Sequence, residues 1–114
     1  MNEVAAGGEL RIVYVLRDPE DRGAFLHLMS ELKTVTTGLM QSVGAGPGEY
    51  SMTERPDRDG WFVEVLRFAS EKERTRFDDL YSHDRRASAL QALLDDLLDA
   101  PRSDYVLVRP ALGN

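Results

Sequence analysis

The sequence contains no cysteine. That absence excludes disulfide bonds, thiolate nucleophiles and cysteine-ligated metals. Apolar runs of the ~18 residues that a membrane-spanning helix needs are also missing. The first nine residues, MNEVAAGGE, have neither the basic segment nor the apolar segment of a secretory signal. These absences predict a soluble, cytoplasmic protein with no membrane partner.

Basic residues are in the minority. Lys and Arg number 14 against 20 Asp and Glu, for a net charge of -6 and a pI near 4.8. Nucleic acids and anionic membranes are bound by clustered Lys and Arg, so this balance argues against both as partners.

The chain has 114 residues, 42% of them apolar and 30% charged, which is typical of one globular domain. We expect the domain to occupy 10–110, between a flexible N-terminal tail at 1–9 and a C-terminal tail at 111–114. A domain of this size often buries more apolar surface by forming an oligomer.

Hydrophobic periodicity predicts four strands and two helices. The strands fall at 10–17, 49–55, 61–69 and 103–110. The first helix begins at Asp18 and Pro19, an N-cap followed by proline at the first helical position, and ends before GAGPG at 44–48. Ser70 and Glu73 form a capping-box pair that opens the second helix, which runs to about Ala100.

The second helix carries two apolar faces that do not share a phase. Its first half uses Phe77, Leu80 and Tyr81, and its second half uses Leu90, Leu93, Leu94, Leu97 and Leu98. A straight helix would place these faces more than a quarter turn apart. We therefore predict a break within 82–87, with Ser82 or Asp84 as the N-cap of the new segment.

The order β-α-β-β-α-β predicts an α+β, ferredoxin-like domain: a four-stranded antiparallel sheet with both helices on one face. The strand WFVEVLRF (61–68) is nevertheless apolar on both sides. The helices cover only one sheet face, so a second copy of the same sheet is the economical cover for the other. The predicted partner is the protein itself, as a homodimer through the sheet faces.

This arrangement, with the hairpin EYSMTERPDRDGWFVEVLRFAS and the strand-to-helix segment VEVLRFASEKERTRFDDL, resembles the dimeric α+β-barrel superfamily. That superfamily includes the antibiotic-biosynthesis monooxygenase-like proteins. The resemblance covers 10–109 and implies a homodimer whose sheets face each other. It does not imply one activity, because members include oxygenases, isomerases and haem-degrading enzymes.

His83 is the first candidate catalytic residue. It stands at the head of the second apolar stripe, because positions 83, 87, 90, 94 and 97 follow in steps of four and three. It could be a half-buried histidine at the helix junction. Alternatively it could be a general base, or an axial haem ligand, at the mouth of a cavity between helix and sheet. His27 falls opposite the apolar stripe of the first helix, where we expect it to face solvent without a partner.

Glu64 is the second candidate, because a charge in the middle of a central strand needs a partner or a wet cavity. One interpretation is an interface ion pair with Arg11, Arg17 or Arg109. The other is a ligand-facing carboxylate in an otherwise apolar pocket. The residues that could contact a ligand are Tyr14, Tyr50, Trp61, Arg67 and Tyr81.

No cofactor and no metal is predicted. For the haem-degrading branch, the resemblance implies a set of an asparagine, a tryptophan and a histidine. The only asparagines in this sequence are Asn2 and Asn114, at the termini, so the set is incomplete. The glycines of GAGPG follow a helix and precede a strand, which is the wrong order for a phosphate loop. The acidic pairs of the second helix do not have the spacing of a calcium loop and indicate a solvated face.

Two functions remain open from the sequence. One is a small-molecule enzyme, a cofactor-independent monooxygenase or isomerase acting on an apolar or aromatic compound. The other is a non-catalytic small-molecule-binding or assembly module. The enzyme hypothesis requires an enclosed cavity of at least ~300 Å³ that is reached by His83 or Glu64.

Overall fold

The computed structural model describes residues 8–101 and 106–110. The described residues form, in order, β1 (Gly8–Val15), α1 (Arg22–Ser42), β2 (Tyr50–Glu54), β3 (Trp61–Phe68), α2 (Glu71–Ser82), α3 (Arg85–Asp95) and β4 (Val106–Pro110), with 3-10 turns at Pro19–Asp21 and Pro47–Glu49. The predicted α+β architecture is confirmed. The predicted tails fall mainly on 1–7 and 111–114, outside the described residues, and β1 begins earlier than predicted, at Gly8.

The strands lie side by side in the order β2-β3-β1-β4, and every neighbouring pair is antiparallel. The central strand pair aligns Ile12 with Glu64 and Tyr14 with Phe62. On the other side of β3, Met52 aligns with Glu64. The last strand was predicted at 103–110, and its first three positions lie outside the described residues.

Side-chain alternation divides the sheet into two faces. Leu10, Ile12 and Tyr14 are buried beneath the helices, whereas the intervening residues of β1 are only half-buried. In β3 the residues Phe62, Glu64, Leu66 and Phe68 are buried on the helical side, and Val65 is buried on the opposite side. The opposite face, which we call the open face, carries half-buried Val13, Val15, Trp61 and Val63.

Helix α2 begins where its cap predicts, whereas the predicted cap of the first helix starts a 3-10 turn and α1 begins at Arg22. The Asp18 carboxylate accepts a hydrogen bond from the Glu20 amide at 2.9 Å and starts the 3-10 turn that leads into α1. The Ser70 hydroxyl accepts from the Glu73 amide at 3.1 Å and starts α2. Each side chain satisfies an amide that the first turn of a helix leaves without a backbone partner.

The predicted break is confirmed. Helix α2 ends at Ser82, α3 starts at Arg85, and the Asp84 carboxylate accepts from the Ala87 amide at 2.8 Å. Of the two candidate N-caps, Asp84 holds the position. The Ser82 hydroxyl instead donates to the Asp79 carbonyl inside α2.

Helix α1 supplies the largest part of the core that faces the sheet. Its buried stripe consists of Phe25, Met29, Leu32, Thr36 and Met40. The Phe25 ring packs on Tyr14 and Phe62, with centroid distances of 5.5 and 4.6 Å. Within the described residues, no helix is long and apolar enough to cross a membrane.

Candidate functional site

Glu64 is a fully buried carboxylate at the centre of β3, with 0% of its surface exposed. The two-residue period of the strand places it between Phe62 and Leu66, on the side covered by the helices. A carboxylate removed from water in this way is costly unless hydrogen-bond donors surround it.

Two tyrosine hydroxyls supply such donors. The Tyr14 hydroxyl donates to Glu64 Oε1 at 2.7 Å, and the Tyr50 hydroxyl donates to Glu64 Oε2 at 2.7 Å. We call these three residues the Tyr14–Glu64–Tyr50 cluster. Each carboxylate oxygen therefore receives one short, charge-assisted hydrogen bond, which is the type of contact that makes a buried carboxylate tolerable.

Strand register brings the cluster together. Glu64 is paired with Ile12 on β1 and with Met52 on β2, so Tyr14 and Tyr50 are its diagonal neighbours on the same sheet face. Diagonal neighbours stand about 7–8 Å apart, within reach of a long aromatic side chain. The cluster thus spans three adjacent strands.

A groove of about 320 Å³ opens between α1 and the edge strand β2. Strand β2 contributes Tyr50, Ser51 and Met52, and α1 contributes Leu26, Met29, Ser30 and Lys33. Tyr50 belongs to both the groove and the cluster. A molecule in the groove could therefore contact Tyr50, whose hydroxyl bonds the Glu64 carboxylate. The groove is large enough for the threshold set from the sequence, but it is open rather than enclosed, and Glu64 is not among the residues that line it.

Lys33 lies at this groove with its Nζ 5.7 Å from the centre of the Tyr50 ring, a cation–π distance. Sequence reasoning missed this residue. The signal that could have found it is helical spacing, since Lys33 follows Met29 by one turn of α1 and so shares its side of the helix.

The structure does not bring His83 to the cluster or to the groove. Its side chain is 78% exposed, and Nδ1 lies 2.8 Å from the Asp79 carbonyl oxygen at the end of α2. His83 does lie at the helix junction against a backbone carbonyl, as one prediction had it, but its side chain is exposed rather than half-buried. Neither of the two grooves described in this section is lined by His83, so its role as a base stays a prediction without support. The helix break is the reason: His83 caps α2, whereas the buried stripe of α3 starts at Ala87, so the apparent stripe crossed two separate helices.

Trp61 and Arg67 lie on the open face of the sheet, away from the groove. Arg58 stacks over the Trp61 ring at 4.7 Å, and Arg67 pairs with Glu9 at 3.4 Å. The predicted place of Trp61 in a common pocket with Tyr14 and Tyr50 is wrong, because odd and even positions of a strand point to opposite faces. Arg67 shares the face of Trp61, as its position in the strand predicts.

Tyr81 is half-buried on α2 and packs its ring against Phe77 at 5.6 Å. It contributes to the edge of the core rather than to the groove lining. The predicted ligand contacts therefore divide into Tyr14 and Tyr50, which meet at Glu64, and three residues that lie elsewhere.

The interface interpretation of Glu64 stays a prediction, because one chain does not test an ion pair between two copies. Arg11 bonds Glu9 at 3.2 Å on the open face, and Arg17 bonds the Leu98 carbonyl oxygen at 3.1 Å. Glu64 lies under the helices instead. The side chain of Arg109 lies outside the described residues.

His27 faces solvent as predicted, but it has a partner. Its Nε2 lies 3.2 Å from Glu31, one turn further along α1. Glu31 also binds Arg86 of α3, so the pair belongs to an ion-pair network between two helices.

A second groove, of about 500 Å³, lies at the β2–β3 hairpin. Two ion pairs occupy this region: Arg22 with Glu54 at 2.8 Å and Arg55 with Asp57 at 2.9 Å. The Arg22 guanidinium, hydrogen-bonded to Glu54, holds the pKa of that carboxyl below its usual range. These charges balance one another, and we assign the groove no ligand. Among the residues that the structure describes, no three His, Asp or Glu side chains are grouped as metal ligands.

Comparisons with known proteins agree with this architecture. No protein-family model matches the chain, and no curated protein matches it in sequence. Solved structures do match. A candidate antibiotic biosynthesis monooxygenase from Nitrosomonas europaea is similar with a TM-score of 0.69 and 9% identity, over 99% of this chain and 97% of that one.

Two further structures show the same likeness. A NIPSNAP family protein from Agrobacterium tumefaciens has a TM-score of 0.68 and 14% identity, over 95% of this chain and 93% of that one. A variant of SnoaB, a cofactor-independent oxygenase from Streptomyces nogalater, has a TM-score of 0.62 and 12% identity, over 94% of each chain. The chain therefore has the fold of the antibiotic-biosynthesis monooxygenase-like proteins, as the sequence predicted.

Proposed function

We propose that this protein is a cofactor-independent enzyme of the oxygenase or isomerase kind, acting on an aromatic or polyketide-like compound. The observation that carries the proposal is the Tyr14–Glu64–Tyr50 cluster: a buried carboxylate whose second tyrosine lines a groove. The likeness in fold to SnoaB, itself a cofactor-independent oxygenase, supports the reaction class.

The cluster is suited to removing a proton from an acidic carbon or hydroxyl of a bound substrate. The Tyr50 hydroxyl donates to Glu64, and Tyr50 also lines the groove, so the proposed acceptor of the substrate proton is the Tyr50 oxygen. In the proposed step the substrate bond to hydrogen breaks and a new Tyr50 O–H bond forms. The original Tyr50 proton passes to Glu64, so the net transfer is from substrate to carboxylate.

The anion so formed is the common starting point of both reactions. Return of the proton at a different carbon is an isomerisation. Transfer of electrons from the anion to dioxygen begins an oxygenation. Tyr14, which donates to the other oxygen of Glu64, is a positioning residue that keeps the carboxylate directed at Tyr50.

The working form is proposed to be a homodimer with the two open faces packed together. The support is the apolar strip of Val13, Val15, Trp61 and Val63, which is half-buried in one chain and extends along both central strands. Covering such a strip with a second copy removes apolar surface from water.

The proposal is tested by solvent exchange on 2-tetralone, an aromatic ketone with an acidic carbon, in D₂O. We expect the protein to accelerate deuterium incorporation beside the carbonyl, seen by NMR, and Glu64→Gln to remove at least nine-tenths of that acceleration. A dioxygen electrode, run with polycyclic hydroxyaromatic compounds, distinguishes oxygenase from isomerase activity. Equal exchange by wild type and Glu64→Gln would contradict the proposal.

A non-catalytic binding module is the second candidate. It is favoured by the completeness of the cluster, since each carboxylate oxygen of Glu64 already receives a tyrosine hydrogen bond. On that hypothesis the cluster only joins three strands. Molecules would then bind the groove without any exchange or dioxygen uptake.

A further inference from the structure

The groove beside Tyr50 has one charged side chain. Of the described residues that line it, Lys33 alone carries a formal charge, and the others are apolar or hydroxyl-bearing apart from Tyr50 itself. The net charge of the whole protein is -6, which disfavours the approach of anions in general. The Lys33 ammonium group therefore places a positive charge in this groove, although the protein as a whole is negatively charged.

Lys33 has no acidic partner within the part of the chain that the structure describes. Among the described residues, the ion pairs use arginines and histidines, and none of them includes Lys33. Its ammonium nitrogen lies 5.7 Å from the centre of the Tyr50 ring, a cation–π contact. This contact holds the ammonium over the groove and leaves its N–H donors to be satisfied by water or by a ligand.

We infer that the groove binds an aromatic compound that carries an acidic oxygen, such as a carboxylate, and that Lys33 selects for it. Leu26, Met29 and Met52 supply apolar and thioether surface for a planar ring. Lys33 supplies the cation for the acidic group. This inference rests on the proposed function for the location of the site and specifies its substrate class.

The test is binding of 2-naphthoate, followed by NMR titration, with 2-naphthamide as a neutral molecule of the same shape. We expect 2-naphthoate to bind more tightly than the amide. Lys33→Gln should weaken 2-naphthoate by about fivefold, the size of one partly exposed charge interaction. The same substitution should leave 2-naphthamide unchanged, and Lys33→Arg should restore most of the loss.

Lys72→Gln is the matched control, because Lys72 is also exposed but lies on α2, outside the groove lining. It should leave both affinities unchanged. Equal losses for the acid and the amide in Lys33→Gln, or no preference of the wild type for the acid, would overturn the inference. Naphthoate binding that depends on Lys33 without any solvent exchange on 2-tetralone would retain the inference and reject the proposed function.

Discussion

The Tyr14 hydroxyl donates to Glu64 Oε1 at 2.7 Å, joining β1 and β3 across 50 residues of sequence. Both side chains are fully buried. This hydrogen bond links the two central strands, and it offsets part of the cost of burying the Glu64 carboxylate.

Tyr14→Phe should lower the free energy of unfolding by about 1–3 kcal/mol, because Glu64 stays buried and loses one donor. Urea unfolding measures this change. Tyr50→Phe is the matched control: Tyr50 is only half-buried at the groove, so water can replace its hydroxyl and the loss should be smaller. Equal losses from the two substitutions would contradict the difference in burial.

Asp84→Ala should destabilise the protein by about 1 kcal/mol, because the Ala87 amide loses the carboxylate that caps α3. Ser82→Ala should cost little, since the Ser82 hydroxyl bonds a carbonyl within α2. Thermal or urea unfolding of the two variants measures the difference. A larger loss of stability from Ser82→Ala than from Asp84→Ala would contradict the assignment of Asp84 as the cap of α3.

The sequence predicted the elements of the fold because each depends on local patterns. Caps at Asp18 and Ser70, and the change of helical phase before Ala87, are all readable within a few residues. The pairing of Glu64 with Tyr14 and Tyr50 was not readable, because it depends on the register of strands that are distant in sequence. All three residues were candidates, but their mutual contact was not predicted.

His83 shows how the same reasoning fails. Its spacing from the leucines of α3 is correct for one continuous helix, and the break that the sequence also predicted removes the continuity. Trp61 shows a second cause of failure. Its aromatic character suggested a ligand contact, whereas its odd position in β3 places it on the open face.

Arg22→Met should reduce the loss of stability that accompanies acidification. The Arg22 hydrogen bonds lower the pKa of Glu54 in the folded protein. A lowered carboxyl pKa gives stability that is present above the unfolded pKa, about 4.3, and is lost as the pH falls through the folded pKa. Without Arg22 the pKa of Glu54 in the folded protein lies closer to its value in the unfolded protein. The free energy of unfolding then falls less steeply with pH below about 5.

Unfolding free energies between pH 7 and pH 3 measure this slope. Arg85→Met is the control, because Arg85 is exposed on α3, away from Glu54. An unchanged slope in Arg22→Met, or the same change in Arg85→Met, would contradict the assignment of the effect to the Arg22–Glu54 pair.

Val63→Lys should convert the proposed dimer to a monomer. Val63 lies at the centre of the open face, and a lysine from each copy would place two cations in an apolar contact. Size-exclusion chromatography with light scattering gives the mass. Leu93→Lys is the control, since Leu93 is 52% exposed on α3 and should leave the mass unchanged. A wild-type protein that is monomeric at micromolar concentration would refute the dimer.

In the proposed relay Tyr50 takes a proton from the substrate as it gives its own proton to Glu64. A double-mutant cycle on the rate of deuterium incorporation into 2-tetralone tests this relay most directly. Residues that act as one unit are not additive. We expect Tyr50→Phe and Glu64→Gln each to remove most of the acceleration, and the double variant to be no slower than either. Multiplied losses in the double variant, or a Tyr50→Phe protein as fast as wild type, would contradict the relay.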